Sequence, residues 1–266
     1  MLHDIAYLAL LLDAPLQSWG FASRFQRRAT GLHPTKSGVI GLICAAMGLA
    51  KGSAEEREVL RKLARLRMTG IAISRQVRQG SSGSNLLPVR RLEDFHTVLD
   101  TRRASGMMNR DAVITRRQYL LDARFGVILE GDRDLLERAT GALQDPRWGV
   151  WFGRKSCLPA APICRGLFAT QADAQEALIG DTPVEVFTVI AEVERFEAGT
   201  DSVPDQPVSF GDGTSSGPEK RQFAVRRIRV SPGSGLPLKG YGSADLRKAA
   251  TGGAQSGQRS LDTDLP

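Results

Sequence analysis

Residues 5–12 read IAYLALLL, an unbroken apolar run closed by Asp13 and Pro15. A run of this length between turn formers is the pattern of a strand covered on both faces. The covering elements follow. After a polar loop at 17–34, Thr35 is placed to cap a helix from Lys36 to about Leu49, with Val39, Ile40, Leu42, Ile43, Ala46 and Met47 on its buried side. Gly38 and Gly41 each cost roughly 1 kcal/mol of helix propensity relative to Ala, which close packing on a sheet offsets, and Gly48 suits the C-terminal cap.

Working outward, a charged amphipathic helix at about 54–66 leads to an alternating run at 67–77 that reads as a strand. Residues 78–115 hold Gly80, Gly83 and Gly106 and no sustained period, and the apolar run 118–130 reads as the next strand. Asp132 caps a helix through about Leu143, on which Leu135, Leu136, Ala139 and Leu143 recur at helical spacing, and 149–157 reads as a fourth strand. The expected class is therefore α+β: a ferredoxin-like (RRM-like) βαββαβ domain over 1–164 with a long thumb insertion at about 78–117. Beyond it come a helix at 172–179, a strand at 184–196, a Gly/Asp/Ser/Pro loop at 199–218 and a basic strand at 221–230, read as a small β-rich appendage over 165–232. The stretch 233–266, with seven glycines and few large apolar residues, is expected to be a disordered tail.

With 266 residues, 41% hydrophobic and 24% charged, the chain has enough material for a core without disulfides or a structural metal. Cys44, Cys157 and Cys164 form no CxxC pair and His3, His33 and His96 are scattered, which argues against a zinc site and for a reducing cytoplasm. The most extended small or apolar stretch, 38–50, is too short to cross a bilayer, so no membrane partner is expected. Asp4 precedes the first apolar run without a basic region, so that run reads as a strand and not as a secretory leader.

The net charge of +7 favours an anionic partner, and its distribution matters more than its size. Between 75 and 117 there are nine arginines (75, 78, 90, 91, 102, 103, 110, 116, 117) against four acids. Arginine pairs bidentately with phosphate and stacks on bases, so Arg90, Arg91, Arg102, Arg103, Arg116 and Arg117, with Phe95, Met107 and Met108 interleaved, form a candidate RNA surface. The plainer reading is a solvated hairpin whose arginines pair with acids of the body.

Lys36 and Ser37 open the first helix, where free N–H groups favour an anion, although Thr35 and Ser37 also serve as simple caps. The segment GLHPTKS at 31–37 is no nucleotide-binding P-loop, because Thr30 and Thr35 stand at both required glycine positions. Gln17, Trp19 and Arg24 sit on the loop after the first strand, and Trp19 either stacks on a base or anchors that loop to the core. Arg154 and Lys155 follow Gly153 as a second candidate backbone contact. His33, His96, Tyr119, Lys36 and Lys155 are the groups from which a metal-independent ribonuclease would have to be built.

Five segments taken together resemble the Cas-five family of CRISPR-associated proteins, in particular the CasD type of the type I-E Cascade complex. They are Pro15-Leu16-Gln17-Ser18-Trp19-Gly20, Pro34-Thr35-Lys36-Ser37-Gly38, Asp94-Phe95-His96-Thr97, Thr115-Arg116-Arg117-Gln118-Tyr119-Leu120, and Gly153-Arg154-Lys155-Ser156-Cys157 followed by Pro159. The resemblance implies a non-catalytic subunit that caps the 5′ handle of the crRNA, beside the backbone and large subunits, and meets target DNA only through the assembled complex. It implies no cofactor and no metal. Lys36, Ser37, Arg154 and Lys155 would contact the handle's backbone, and the thumb would lie across the guide. The type I-C relatives, which cleave precursor RNA, supply the alternative of a metal-independent endoribonuclease using Tyr119, His96 or His33 with Lys36. The 233–266 tail has no counterpart in the family pattern.

Overall fold

The first strand, β1 (Ile5–Asp13), forms on the apolar run and is buried on both sides. Leu8, Leu10 and Leu12 enter one hydrophobic cluster, whereas Ala9 and Leu11 enter another on the opposite face. The structure, a computed structural model, describes residues 4–20, 26–79, 83–102, 105–109, 111–180, 187–211 and 221–233.

After β1 come two short strands, β2 (Leu16–Gln17) and β3 (Arg27–Arg28), then helices α1 (Lys36–Ala46) and α2 (Ala54–Ala64) and strand β4 (Arg67–Ile73). The insertion contains β5 (Arg75–Gln79), β6 (Gly83–Leu87), β7 (Arg90–Val98), β8 (Thr101–Arg102), β9 (Met108–Asn109) and β10 (Val113–Leu121). Strand β11 (Arg124–Asp132), helix α3 (Arg133–Gln144), strand β12 (Cys164–Phe168) and helix α4 (Gln171–Ile179) follow. Strands β13 (Phe187–Val193), β14 (Thr200–Ser209) and β15 (Gln222–Pro232) complete the described chain.

One seven-stranded sheet runs β12-β1-β11-β4-β13-β15-β14, with every neighbouring pair antiparallel. The architecture is thus mixed α/β, a mainly antiparallel sheet with four helices among the described residues. Leucines and valines of α1, α2 and α3 share a core cluster with β1, and Ala174, Leu178 and Ile179 of α4 cover the other face. The helix starts are set by side-chain caps: Thr35 accepts from the Gly38 N–H, Ser53 from Glu56, Asp132 from Leu135 and Thr170 from Asp173.

Four sequence expectations are corrected. The apolar run 118–130 is not one strand. Asp122, at φ +50°, turns the chain so that β10 ends in the thumb sheet and β11 begins in the main sheet, a conformation that Asp tolerates better than most residues. The fourth strand of the βαββαβ order is β12, not 149–157. In that segment Gly153 takes φ +95°, and Phe152 and Cys157 are apolar because they are buried beneath a loop.

The expected loop at 199–218 contains β14, paired along β15 with register shifts between Val203 and Gln206 and between Pro207 and Ser209. Pro204 and Pro207 mask it in sequence, yet proline is tolerated on an edge strand. The run 67–77 likewise divides into β4 and the start of β5. Strands β13, β15 and β14, expected in an appendage, are hydrogen-bonded onto β4 and continue its sheet. Residues 234–266, read as a disordered tail, lie outside the described residues.

Candidate nucleic-acid interface

The root of the thumb is held by residues that the sequence offers as RNA contacts. Gln17 Nε2 donates to the carbonyls of Leu12 at 3.0 Å and Ala123 at 2.6 Å, while Gln17 Oε1 accepts from Trp19 Nε1 at 2.9 Å. Trp19 is buried and stacks on Phe152 with ring centres 5.9 Å apart. Of its two readings, the geometry matches the anchor. Both side chains fix the point where β2 pairs with β10.

From this root the ribbon of β7 and β10 extends in antiparallel register, with β3 added in parallel on the other edge of β10. Opposed residues share a face, and alternate residues along a strand face opposite ways. One face therefore carries Arg28, Arg117, Asp94, His96 and Tyr119. The other carries Arg27, Arg116, Phe95 and Arg91. Arg116 lies 5.9 Å from the Phe95 ring centre on that second face, so Arg116 and Arg117 serve different surfaces.

On the first face the Arg154 guanidinium lies 4.4 Å from the Tyr119 ring centre and donates to the Arg28 carbonyl at 3.0 Å. Arg154 is presented by the 152–157 loop, which approaches Ser18 so closely that a Cβ on Gly153 would fall 1.8 Å from the Ser18 carbonyl oxygen. Lys155, next along, is exposed and lies 5.9 Å from the Trp151 ring. Arg28, Arg117, Arg154 and Tyr119 are thus brought together from four parts of the sequence.

The start of α1 departs from expectation. Lys36 is 1% exposed, and its ammonium lies 3.1 and 3.0 Å from the two carboxylate oxygens of Glu192. Its backbone N–H donates to Asp205 Oδ2 at 2.9 Å, and Arg226 pairs with both oxygens of Asp205 at 2.6 and 3.0 Å. The anion that the helix N-terminus favours is a carboxylate of this chain, so Lys36 and the buried Ser37 do not present a free phosphate site. Burial lowers the Lys36 pKa, against the opposing pull of Glu192.

The remaining candidates are dispersed. Arg90 is exposed and pairs with Asp122 at 2.8 Å, Arg91 and Arg102 are exposed, and Met107 and Met108 are exposed towards the ribbon's far end. Arg24 and Arg103 lie outside the described residues. His96 is exposed 3.9 Å from Asp94, His33 Nδ1 lies 3.2 Å from the Pro34 carbonyl, and Tyr119 is buried beneath Arg154. Among the described residues, no hydrogen bond or ion pair joins any two of His33, His96, Tyr119, Lys36 and Lys155.

A cleft of about 650 Å³ opens beside the Arg28–Arg154 cluster, with both arginines in its lining. Helix α1 contributes Gly38, Gly41 and Ala45, the 148–154 segment contributes Trp148 and Trp151, and the β14–β15 end contributes Phe210, Arg221 and Phe223. Sequence reading missed these aromatics and Arg28. The adjacent Arg27 and Arg28 were the only local signal for the latter, and nothing local marks Phe210, Arg221 and Phe223 as neighbours of α1. No group of three or more His, Cys, Asp or Glu suited to a metal occurs among the described residues. No helix among them is long and apolar enough to cross a membrane.

Comparison with known proteins agrees with this architecture. The profile of the family described as CRISPR-associated protein (Cas_Cas5) matches residues 7–229. The chain is 30% identical over 183 residues to the CRISPR system Cascade subunit CasD of Escherichia coli strain K12, covering 67% of this chain and 78% of that one. It is similar to a chain of a solved CRISPR RNA-guided surveillance complex, with a TM-score of 0.63, 25% identity, and 85% and 89% of the two chains covered. It is also similar to a crystal structure of a Cas protein, with a TM-score of 0.55, 32% identity, and 87% and 98% covered.

Proposed function

The chain belongs to the CRISPR-associated Cas5 family, and on that premise we propose that it is a non-catalytic, RNA-binding subunit of a type I-E Cascade complex, holding the 5′ handle of the crRNA. The observation that carries this reading is the shared face of Arg28, Arg117 and Tyr119, with Arg154 laid over the tyrosine ring. Guanidinium groups on a rigid ribbon neutralise phosphates and stack on bases without any chemistry being required of them. The order β12-β1-β11-β4, with α1 and α3 packed on one side, supports a ferredoxin-like half as the scaffold.

In this reading the thumb reaches along the guide, the Cascade backbone and large subunits complete the complex, and target DNA is met through guide pairing. Protein contacts then fix RNA shape while base pairing reads the target in antiviral defence.

The test is RNA binding by the purified chain, alone and with its partner subunits, as a function of salt. Each neutralised phosphate of a single strand contributes about −0.7 to the slope of log affinity against log salt, so a steep negative slope is expected. An affinity that ignores salt overturns the reading. Incubation of repeat RNA in EDTA addresses the noncatalytic part: site-specific cleavage that disappears in His96→Ala or Tyr119→Phe would establish an endoribonuclease instead.

A further inference from the structure

The ribbon face suffices to grip a backbone, and the cleft beside it is lined differently. Arg221 lies 5.9 Å from the Phe210 ring centre and 4.9 Å from that of Phe223, and Lys155 lies 5.9 Å from Trp151. Trp148 leaves 45% of its surface exposed in the lining. Such aromatic surface beside cations is poorly suited to water and well suited to a flat, electron-rich ring attached to a phosphate.

Small residues keep the space open. A Cβ on Gly41 would rest 3.7 Å from Phe210, ordinary contact, so glycine here leaves the ring's surface uncovered. At about 650 Å³ the cleft falls within the usual range of about 300–1,000 Å³ for sites that enclose a small ligand. The one acid in its lining, Glu56, is buried and accepts from the Gly52 N–H, and Arg221 has no carboxylate partner among the described residues.

Continuity decides the ligand. Arg28 and Arg154 belong both to the ribbon face and to the cleft lining, so a strand gripped by them passes the opening. We infer that the cleft receives one unpaired nucleobase of the bound RNA, stacked on the side chains of Trp148, Trp151 and Phe223, with Arg221 facing its phosphate. This rests on the RNA-binding reading above and adds to it a separate seat for a base.

The experiment uses the full chain and single-stranded repeat RNA carrying 2-aminopurine at successive positions. At one position the fluorescence is quenched on binding, and an abasic nucleotide there weakens binding by about 5- to 150-fold, the range expected for one base–aromatic stack. Trp151→Ala and Phe223→Ala weaken the intact RNA by a similar factor and leave the abasic RNA unaffected. Ala45→Trp, which fills the cleft, gives the same pattern; if it does not fold, the exposed Trp148→Ala serves in its place. Salt-dependent binding with every position tolerant of an abasic nucleotide and Trp151→Ala silent overturns the inference and leaves RNA binding standing. Failure to bind RNA at any salt concentration, with or without partner subunits, removes both.

Discussion

The Lys36 ammonium is held between both carboxylate oxygens of Glu192, at 3.1 and 3.0 Å, by residues 156 positions apart in the chain. Together with Asp205 and Arg226 this pair ties the first turn of α1 to β13, β14 and β15. The lysine is a structural cation.

Lys36→Met is accordingly expected to destabilise the fold. Removing one member of a buried pair costs about 3–5 kcal/mol, and the lower end applies because Glu192 retains 21% of its side-chain surface in water. Chemical denaturation reads this loss. The salt slope of RNA binding by the folded fraction should not move; a shallower slope at unchanged stability would return Lys36 to the RNA surface.

Burial holds the His33 pKa below its ordinary 6.5, helped by Arg226 and opposed by the Pro34 carbonyl and Asp205. The unfolded chain therefore takes up this proton at a higher pH than the folded chain does. Stability should fall as pH drops through 6.5 and go on falling until the folded-state value is passed. Melting temperatures from about pH 8 to about pH 5 should show a gentler acid decline in His33→Asn than in the parent. Parallel declines would refute the assignment.

Gln175 on α4 is 1% exposed, and neither its amide nitrogen nor its oxygen has a hydrogen-bond partner. An unpaired buried amide loses its hydration without replacement, so Gln175→Met, close in shape, should stabilise the chain by about 1–3 kcal/mol. A urea midpoint that moves downward would contradict this.

Gly153 and Gly106 both have positive φ, but their surroundings differ. Gly153→Ala drives a methyl group into the Ser18 carbonyl and must displace the loop that presents Arg154 and Lys155. A lower melting temperature and weaker RNA binding should appear together. At Gly106 nothing lies within 4 Å, so alanine there costs only the left-handed backbone, about 1–2 kcal/mol at most.

Arg116 and Arg117 are adjacent but point to opposite faces of the ribbon. Arg117→Ala should weaken RNA binding across sequences and reduce the salt slope by about 1 unit, with Arg28→Ala behaving alike. Arg116→Ala, whose side chain lies by Phe95 and Glu93, should change both quantities less. Equal effects of the two neighbours would mean that the RNA does not choose a face.

Much of the scaffold was legible because its signals are local. The apolar run of β1, the caps Thr35 and Asp132, and the helical spacing of Leu135, Leu136, Ala139 and Leu143 each report on a few neighbouring residues. The crowding of arginines in the insertion was legible for the same reason. Where the local signal was ambiguous it misled: Phe152 and Cys157 suggested a strand, although a buried loop satisfies the same apolar pattern.

The sequence by itself determined which segments become strands and helices around β1 and where positive charge is concentrated, since hydrophobic period and capping act within a turn or two. Only the tertiary structure decided that Lys36 meets Glu192 instead of a phosphate, that Arg28 joins Arg117 and Arg154, and that Phe210, Arg221 and Phe223 share a cleft with α1. Those meetings depend on sheet register and on which distant carboxylate reaches a helix end, such as Asp205 at 169 positions from Lys36, and no local pattern encodes them.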